Sequence, residues 1–351
     1  MEMKEIFAKR LKSARLMKGL SMDDLVSAMD NSISKMAISK YENGLLAPNS
    51  TILIALSKAL NQPVDYFFRP FDIKVESIKF RKKTKLGAKQ EKAIKEEIND
   101  LVERYMSIES ICNCLAQFSS PVKECISIKS DVKKAAQDIR TAWQIGLDNI
   151  ANVIDLLEDK GIKVLELDAP DSFDGLSSMV NEDYPVIVLN KNCTPERKRF
   201  NAFHELGHIS LTFSDSVSEK EEEALCHLFA SEMLIPEAVF MREVGYRRQN
   251  ISYPELRYLQ CKYGISPEAL MYKAKESGII SEKQHKEFCV QKNSCPSFKE
   301  KISSALYPRE ESNRFSNLVY KALSCEMITI SKAANLLNRS IDQVRKDLAI
   351  L

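Results

Sequence analysis

Apolar and polar residues follow a helical period over most of the chain, in short segments separated by turn residues. In the first seventy residues this pattern predicts five short helices. Ser21 caps the second helix at 22–29, and the third helix ends near 43–44. A fourth helix follows Pro48, and residues 64–68 close the unit. The second and third helices, with a short turn between them, are typical of a helix-turn-helix.

The middle of the chain mixes helices with strands. The amphipathic helices predicted before the strands are 88–107, 132–143 and 147–160. The predicted strands are 162–167, 176–180 and 185–190. Further helices are predicted as far as residue 348, whereas 107–130 has too weak a pattern for any assignment. The fold is therefore expected to be mainly α with a small β-sheet (α+β).

One predicted helix carries a metal-binding pattern. Residues 199–211 read RFNAFHELGHISL, after a helix start capped by Thr194. Because residues four apart share one helix face, His204 and His208 can reach the same ion. Glu205 then lies close enough to take a proton from a metal-bound water. The spacing predicts a zinc hydrolase acting on peptide bonds, and a chance pair of histidines on a surface helix is the alternative.

A catalytic zinc needs three protein ligands, and the third is expected in the helix predicted at 220–236. Glu223 and His227 share one helix face, so Glu223 can bind the metal while His227 steadies a ligand from outside the metal shell. His227 can equally be a polar core residue. Glu221 and Glu222 compete with Glu223, although a solvated acidic first turn also explains both.

These motifs resemble the ImmA/IrrE family of zinc metallopeptidases, through HELGH, EALCHLFA at 223–230 and LIP at 234–236. Cys226 and Ile235 stand where that family usually has alanine and methionine, and neither change is expected to touch the metal shell. The resemblance implies a zincin-like, gluzincin-type domain with these roles: ligands His204, His208 and Glu223, and general base Glu205.

The N-terminal segment is similar to XRE/Cro-type helix-turn-helix domains, through its Leu-Ser-x-x-x-Leu at 20–25 and ISKYENG at 38–44. Members of that family commonly bind double-stranded operator DNA as homodimers, and the third helix enters the major groove. A helical bundle used only for protein contacts is the alternative. The residues expected to face DNA are Ser34, Lys35, Met36, Ser39 and Lys40.

At 351 residues the chain is long enough for two or three domains. A net charge of +2 on 51 basic and 49 acidic side chains selects no partner by itself. Nine cysteines without paired spacing favour a reducing compartment, and no apolar run is long enough to span a bilayer. A cytoplasmic protein with no membrane contact is expected. A basic cluster at 79–85 either touches phosphates or is a solvated linker.

The sequence thus predicts four regions: a helix-turn-helix domain at 1–70, a basic linker and helical connector at 71–130, the metallopeptidase domain at 131–245, and a helical C-terminal region at 246–351. The favoured function is a DNA-binding regulator fused to a Zn2+ endopeptidase that cleaves a repressor-like protein or itself. The alternative is a repressor whose peptidase-like domain senses a ligand or partner and cleaves little or nothing.

Two further expectations concern parts of this plan. The strand at 185–190 runs into the zinc helix, so an extended substrate is expected to pair with its edge. Helices at 328–337 and 341–348 have the order of a second helix-turn-helix. That segment is not strongly basic, and packing on the peptidase or dimer formation is the favoured interpretation.

Overall fold

The computed structural model describes residues 3–70, 78–80, 87–181 and 183–349. It is mainly α with a small β component, as predicted. Most of the basic cluster at 79–85 lies outside the described residues. The α-helices of the described part are α1 Met3–Met17, α2 Met22–Ala28, α3 Lys35–Glu42, α4 Ser50–Leu60, α5 Ala88–Ile111, α6 Lys129–Ala142, α7 Val153–Asp159, α8 Pro195–Ser210, α9 Glu219–Leu234, α10 Glu237–Val244, α11 Tyr253–Tyr263, α12 Pro267–Glu276, α13 Glu282–Ser294, α14 Pro296–Ser303, α15 Arg314–Ser324, α16 Ile330–Leu337 and α17 Ile341–Leu348.

The strands are short and a single 3-10 helix, Val64–Phe68, lies among the described elements. The strands are β1 Ile78–Phe80, β2 Cys125–Ile126, β3 Lys163–Leu167, β4 Gly175–Val180, β5 Tyr184–Asn190 and β6 Thr212–Phe213. The chain divides into two compact units. The first contains both ends of the chain (Met1–Ile78, Lys83–Ala116, Asn313–Leu351), and the second contains the middle (Lys79–Lys82, Gln117–Ser312).

The first unit begins with the five predicted helices, of which the fifth is the 3-10 helix. Their spaced apolar residues form one core, in which Leu11, Leu25, Ile38 and Leu56 are fully buried. Local capping fixes the helix starts. Ser21 forms a reciprocal capping box with α2, and the Ser34 side chain accepts a hydrogen bond from the third residue of α3.

Helix α5 joins these N-terminal helices to α15 and α16 through buried charges. Arg10 of α1 donates hydrogen bonds to both carboxylate oxygens of Glu103, at 2.8 and 2.5 Å. Asp100 accepts from Arg69 and, at 2.9 Å, from Arg104. We call these five residues the arginine–carboxylate cluster. Arg104 also donates to the last turn of α16, at the Leu336 carbonyl oxygen.

The second unit is built on a four-stranded sheet in the order β1-β4-β5-β3. Strand β3 runs parallel to β5, and β4 runs antiparallel to it. The three predicted strands are therefore present, each within about one residue of its expected bounds. Because β5 is paired on both sides, the expectation that a substrate adds to its edge is wrong.

Two other parts of the second unit differ from the sequence pattern. The helix predicted at 147–160 begins only at Val153, where Asn152 caps it by accepting from the Asp155 amide. The unassigned segment 107–130 supplies β2, which pairs in parallel with β6. Among the described residues no single helix is long and apolar enough to cross a membrane, although α9 and α10, bent by 62°, pass that test as a pair.

Candidate metal centre

Helix α8 is held firmly at its N-terminal end. Thr194 caps it and Pro195 occupies its first turn. One helical turn on, the buried Arg199 pairs with Glu310 and donates to the Ile150 carbonyl oxygen at 2.7 Å. The buried Lys198 pairs with Glu166 of β3. These contacts fix the position of α8, and hence of the two histidines at its other end.

Helix α9 packs closely against the C-terminal half of α8 because residue 207 is glycine. A Cβ atom at Gly207 would lie 3.2 Å from Phe229 Cδ1 and 3.3 Å from Cys226 Sγ, both on α9. Such spacing is tighter than ordinary van der Waals contact. The glycine of HELGH therefore allows the approach that places the acidic first turns of α9 beside the histidines.

The approach brings together three of the residues predicted from the sequence, His204, His208 and Glu223. The Nε2 atoms of the two histidines are 3.2 Å apart. Glu223 Oε2 lies 3.5 Å from His204 Nε2, and Glu223 Oε1 lies 3.2 Å from His208 Nε2. Ligands about 2.0–2.1 Å from a tetrahedral ion are separated by about 3.3–3.4 Å. The two histidine nitrogens are thus spaced as neighbouring ligands of one ion, and each lies within 3.5 Å of a different oxygen of Glu223. Three such ligands would leave one position of a tetrahedral ion for water or substrate.

The donor types and their burial support the same conclusion. The side chains of His204 and His208 are 12% and 9% exposed, and that of Glu223 is 30% exposed. Two imidazoles and one carboxylate are a ligand set that suits zinc. Three electron-pair donors turned toward one another in a partly buried site are unfavourable unless a cation lies between them.

The outer nitrogen of His208 has two neighbours whose contact with it the sequence did not predict. Its Nδ1 lies 3.3 Å from Glu222 Oε1 and 3.4 Å from Cys226 Sγ. A carboxylate that accepts from the outer N–H keeps the inner nitrogen free for a metal. Cys226 was expected to leave the metal shell untouched, but its sulfur contacts the outer nitrogen of one predicted ligand. The usable signal was the four-residue spacing of Glu222 and Cys226, which places both on one face of α9.

Two further side chains of this region have distinct surroundings. The Nδ1 atom of His204 has no hydrogen-bond partner among the described residues. The His227 ring stacks on His204 at a centroid distance of 4.4 Å and on Phe200 at 5.7 Å. Burial of the ring, together with the neighbouring His204, lowers the pKa of His227 to about 4. His227 is therefore a neutral ring that contacts a candidate ligand by stacking.

Glu205, the predicted general base, is 8% exposed and lies against strand β4. A Cβ atom at Gly175 would lie 3.6 Å from Glu205 Cγ and 2.9 Å from the Val188 carbonyl oxygen. Glycine therefore allows β4 to pass this close to β5, whereas the distance to Glu205 on α8 is an ordinary van der Waals contact. The strand and the helix together confine the Glu205 side chain.

A cavity of about 450 Å3 adjoins this centre on the His227 side. Its walls come from α6, α8, α9 and α12, and its exposed lining is mostly apolar. The polar groups at its rim are paired, since Lys133 contacts Glu237 at 2.7 Å and Lys273 contacts Glu232 at 2.5 Å. The apolar lining residues are Phe200, Ala224, Leu225, Leu228 and Ala269.

The five predicted DNA-facing residues lie on α3 or at its cap. Ser34, Lys35, Met36 and Lys40 are exposed, and Ser39 is half-buried. Ile38 and Tyr41, which lie on the other face of α3, are buried. Lys35 also pairs with Asp23 of α2 at 2.6 Å on the exposed surface.

Comparison with known families agrees with this organisation. Residues 157–275 match the family model of the IrrE N-terminal-like domain, of the M78 peptidases. Residues 11–67 match a helix-turn-helix family model. No curated protein matches the chain. The first match contains the metal residues and much of the cavity wall, and the second contains α2 and α3. The chain therefore joins an XRE-type helix-turn-helix DNA-binding domain to a metallopeptidase-like domain of the ImmA/IrrE family.

Proposed function

We propose that this DNA-binding regulator is also a zinc-dependent endopeptidase, which relieves transcriptional control by cleaving a repressor or another protein. The observation that carries the proposal is the convergence of His204, His208 and Glu223, whose ligand atoms approach one another to 3.2–3.5 Å. Glu205 follows the first of these residues in the same helix. The first unit would bind operator DNA as a homodimer through α3.

The residues around the centre have separable tasks in this proposal. His204, His208 and Glu223 would hold zinc. Bound zinc would supply Lewis acidity to a water molecule and to the peptide carbonyl. Glu205 takes a proton from the attacking water and delivers it to the departing amine. Glu222 keeps the outer proton of His208 in place.

The adjoining cavity supports a preference for substrates with a large apolar side chain near the cleaved bond. Its apolar lining favours such a group, and the paired charges at its rim need no counterion from the substrate. The same cavity also suits the second candidate function. In that case an apolar small molecule fills it, and the peptidase-like domain acts as a sensor with little or no proteolysis.

The deciding experiment combines zinc content with cleavage of a library of unstructured peptides that vary in their apolar residue. Wild-type protein is expected to hold about one zinc ion and to cleave. Glu205→Gln should keep the zinc and lose about 100-fold or more in cleavage rate, because general-base catalysis contributes about that much. Glu219→Gln, at an exposed position on α9, is the matched control.

Each outcome assigns a function. Cleavage at the wild-type rate by Glu205→Gln would contradict the proposed mechanism. Zinc binding without cleavage in wild type, together with a ligand that alters DNA affinity, would favour the sensor. A wild-type chain that binds no zinc under these conditions would remove the peptidase proposal.

A further inference from the structure

The C-terminal helices have the geometry of a second helix-turn-helix. Residues 338–340 alone separate α16 from α17. Asn338 adopts the left-handed conformation at φ 53°, ψ 44°, which turns the chain sharply after α16. Ser340 then caps α17 and forms a reciprocal capping box with Gln343. A three-residue turn between two short helices is the arrangement of DNA-binding helix-turn-helix motifs.

The faces of these helices are divided as such a motif requires. Val319 and Ala322 of α15 are fully buried, as are Ala333 of α16 and Val344 of α17. In α17 only Val344 is fully buried, and Ile341 and Leu348 on the same face are half-buried. The remaining surface of α17 faces solvent, and its exposed residues are Asp342, Gln343, Arg345, Lys346 and Asp347.

The segment that contains these helices has more basic than acidic side chains, which suits a polyanion. Residues 314–348 contain six basic side chains (Arg314, Lys321, Lys332, Arg339, Arg345 and Lys346) and three acidic ones (Glu326, Asp342 and Asp347). Asp347 is already engaged, because it accepts from Arg339 at 2.8 Å and from Tyr320. Arg345 and Lys346 are exposed on α17, and Arg345 has only a weak contact of 3.8 Å with Asp342.

The segment is also held in the same unit as the first DNA-binding motif. Arg314 at the start of α15 pairs with the buried Glu109 of α5. Arg104 of α5 donates at 2.6 Å to the last turn of α16. Helix α5 packs on α1 at the same time. Both helix-turn-helix arrangements are therefore attached to one helix, and DNA held by the first raises the local concentration of DNA for the second.

We infer that α17 is a second DNA-reading helix, which contacts double-stranded DNA through Arg345 and Lys346. The low basic content had favoured a packing role when the sequence was considered alone. The structure changes that interpretation because α17 buries one apolar side chain fully and leaves its cations in solvent. A protein partner on the same surface is the competing role.

The test measures the affinity of the full chain for a mixed-sequence DNA duplex over a series of salt concentrations. The variant is R345Q/K346Q. Each phosphate contact makes the slope of log K against log salt concentration about 0.9 more negative. In R345Q/K346Q the slope should therefore become shallower by about two units. R345K/K346R preserves both charges and should keep the wild-type slope.

The matched control is K283Q/K286Q, which removes two exposed positive charges from α13 of the second unit. Thermal unfolding of all variants checks that each chain is folded. An R345Q/K346Q slope equal to that of this control would overturn the inference and favour a protein partner. If the salt dependence became equally shallow in R345Q/K346Q and R345K/K346R, the inference would also be overturned, because the loss of positive charge would not explain the change.

Discussion

The two units each bury a group of ionisable residues, and the two groups are satisfied in different ways. In the arginine–carboxylate cluster of the first unit, each carboxylate faces at least one arginine at hydrogen-bond distance. In the metal centre of the second unit, two imidazoles and a carboxylate face one another. The first group contains its own counterions, whereas the second is a set of donors of the types that suit a metal ion.

This is the difference expected between a group that stabilises a fold and a group that binds a ligand. Residues that complement one another internally stabilise a fold and need nothing further. Donors that converge on one point are poorly arranged for stability alone, and sites of this kind retain them for what they bind. The comparison therefore predicts opposite consequences for removing one carboxylate from each group.

The largest effect is expected from Asp100→Asn in the first unit. Burial alone would raise the pKa of Asp100, but three nearby arginines lower this pKa. The carboxylate is therefore ionised in the folded protein. Removing one partner of a buried ion pair leaves uncompensated charge and costs about 3–5 kcal/mol. The free energy of unfolding, followed by far-ultraviolet circular dichroism, should fall by that amount.

Two controls make this result specific. Trp143 is the single tryptophan of the chain and lies in the core of the second unit, so its fluorescence transition should stay unchanged. Asp342→Asn removes an exposed acid from the same unit and should change the unfolding free energy by less than about 0.5 kcal/mol. A loss of similar size in both variants would mean that the buried cluster is not a special contributor.

A smaller and conditional effect is expected from Glu223→Gln. Zinc at about 100 times its dissociation constant should stabilise the wild-type second unit by about 2.7 kcal/mol, measured by Trp143 fluorescence during denaturation. The variant should lose this gain. In the presence of a chelator the variant should differ from wild type by less than about 0.5 kcal/mol. A large loss of stability in chelator would show that Glu223 is structural, like Asp100.

The helices of both units can largely be predicted from the sequence, because apolar periodicity and helix caps are local features. The candidate ligands of HELGH can also be predicted, because their chemistry depends on spacing within one helix. The arginine–carboxylate cluster cannot be predicted in this way. Arg10 and Glu103 are 93 residues apart, and only the packing of α1 on α5 brings them together. The order of the sheet is equally non-local, which is why β5 was wrongly expected to offer a free edge.

The three consecutive glutamates of α9 show this limit most clearly. In the sequence all three belong to one acidic stretch, and Glu223 differs only by its spacing from His227 and by the family resemblance. Glu221 accepts from the Ser218 amide at 2.9 Å in a capping box, and this local role follows from the Ser-x-x-Glu pattern. Glu222 faces His208 and Glu223 faces both histidines. Their contacts with the histidines depend on the rotation of α9 about its axis relative to α8, which tertiary packing fixes.

The smallest effects separate the two neighbours of the His208 outer nitrogen. Glu222→Gln should weaken zinc binding about 10- to 100-fold, because a carboxylate beside a liganding imidazole orients it and strengthens it as a donor. Cys226→Ala should weaken zinc binding less than about fivefold, since a thiol is a weak hydrogen-bond partner and Glu222 would still hold the nitrogen. Competition with a coloured zinc chelator measures both changes, and Glu219→Gln is the matched control on the same helix.

If Cys226→Ala weakened binding as much as Glu222→Gln while the Trp143 transition stayed in place, then the sulfur would be the partner of His208. In that case the alanine usual at this position in the family would imply a differently supported histidine in those proteins.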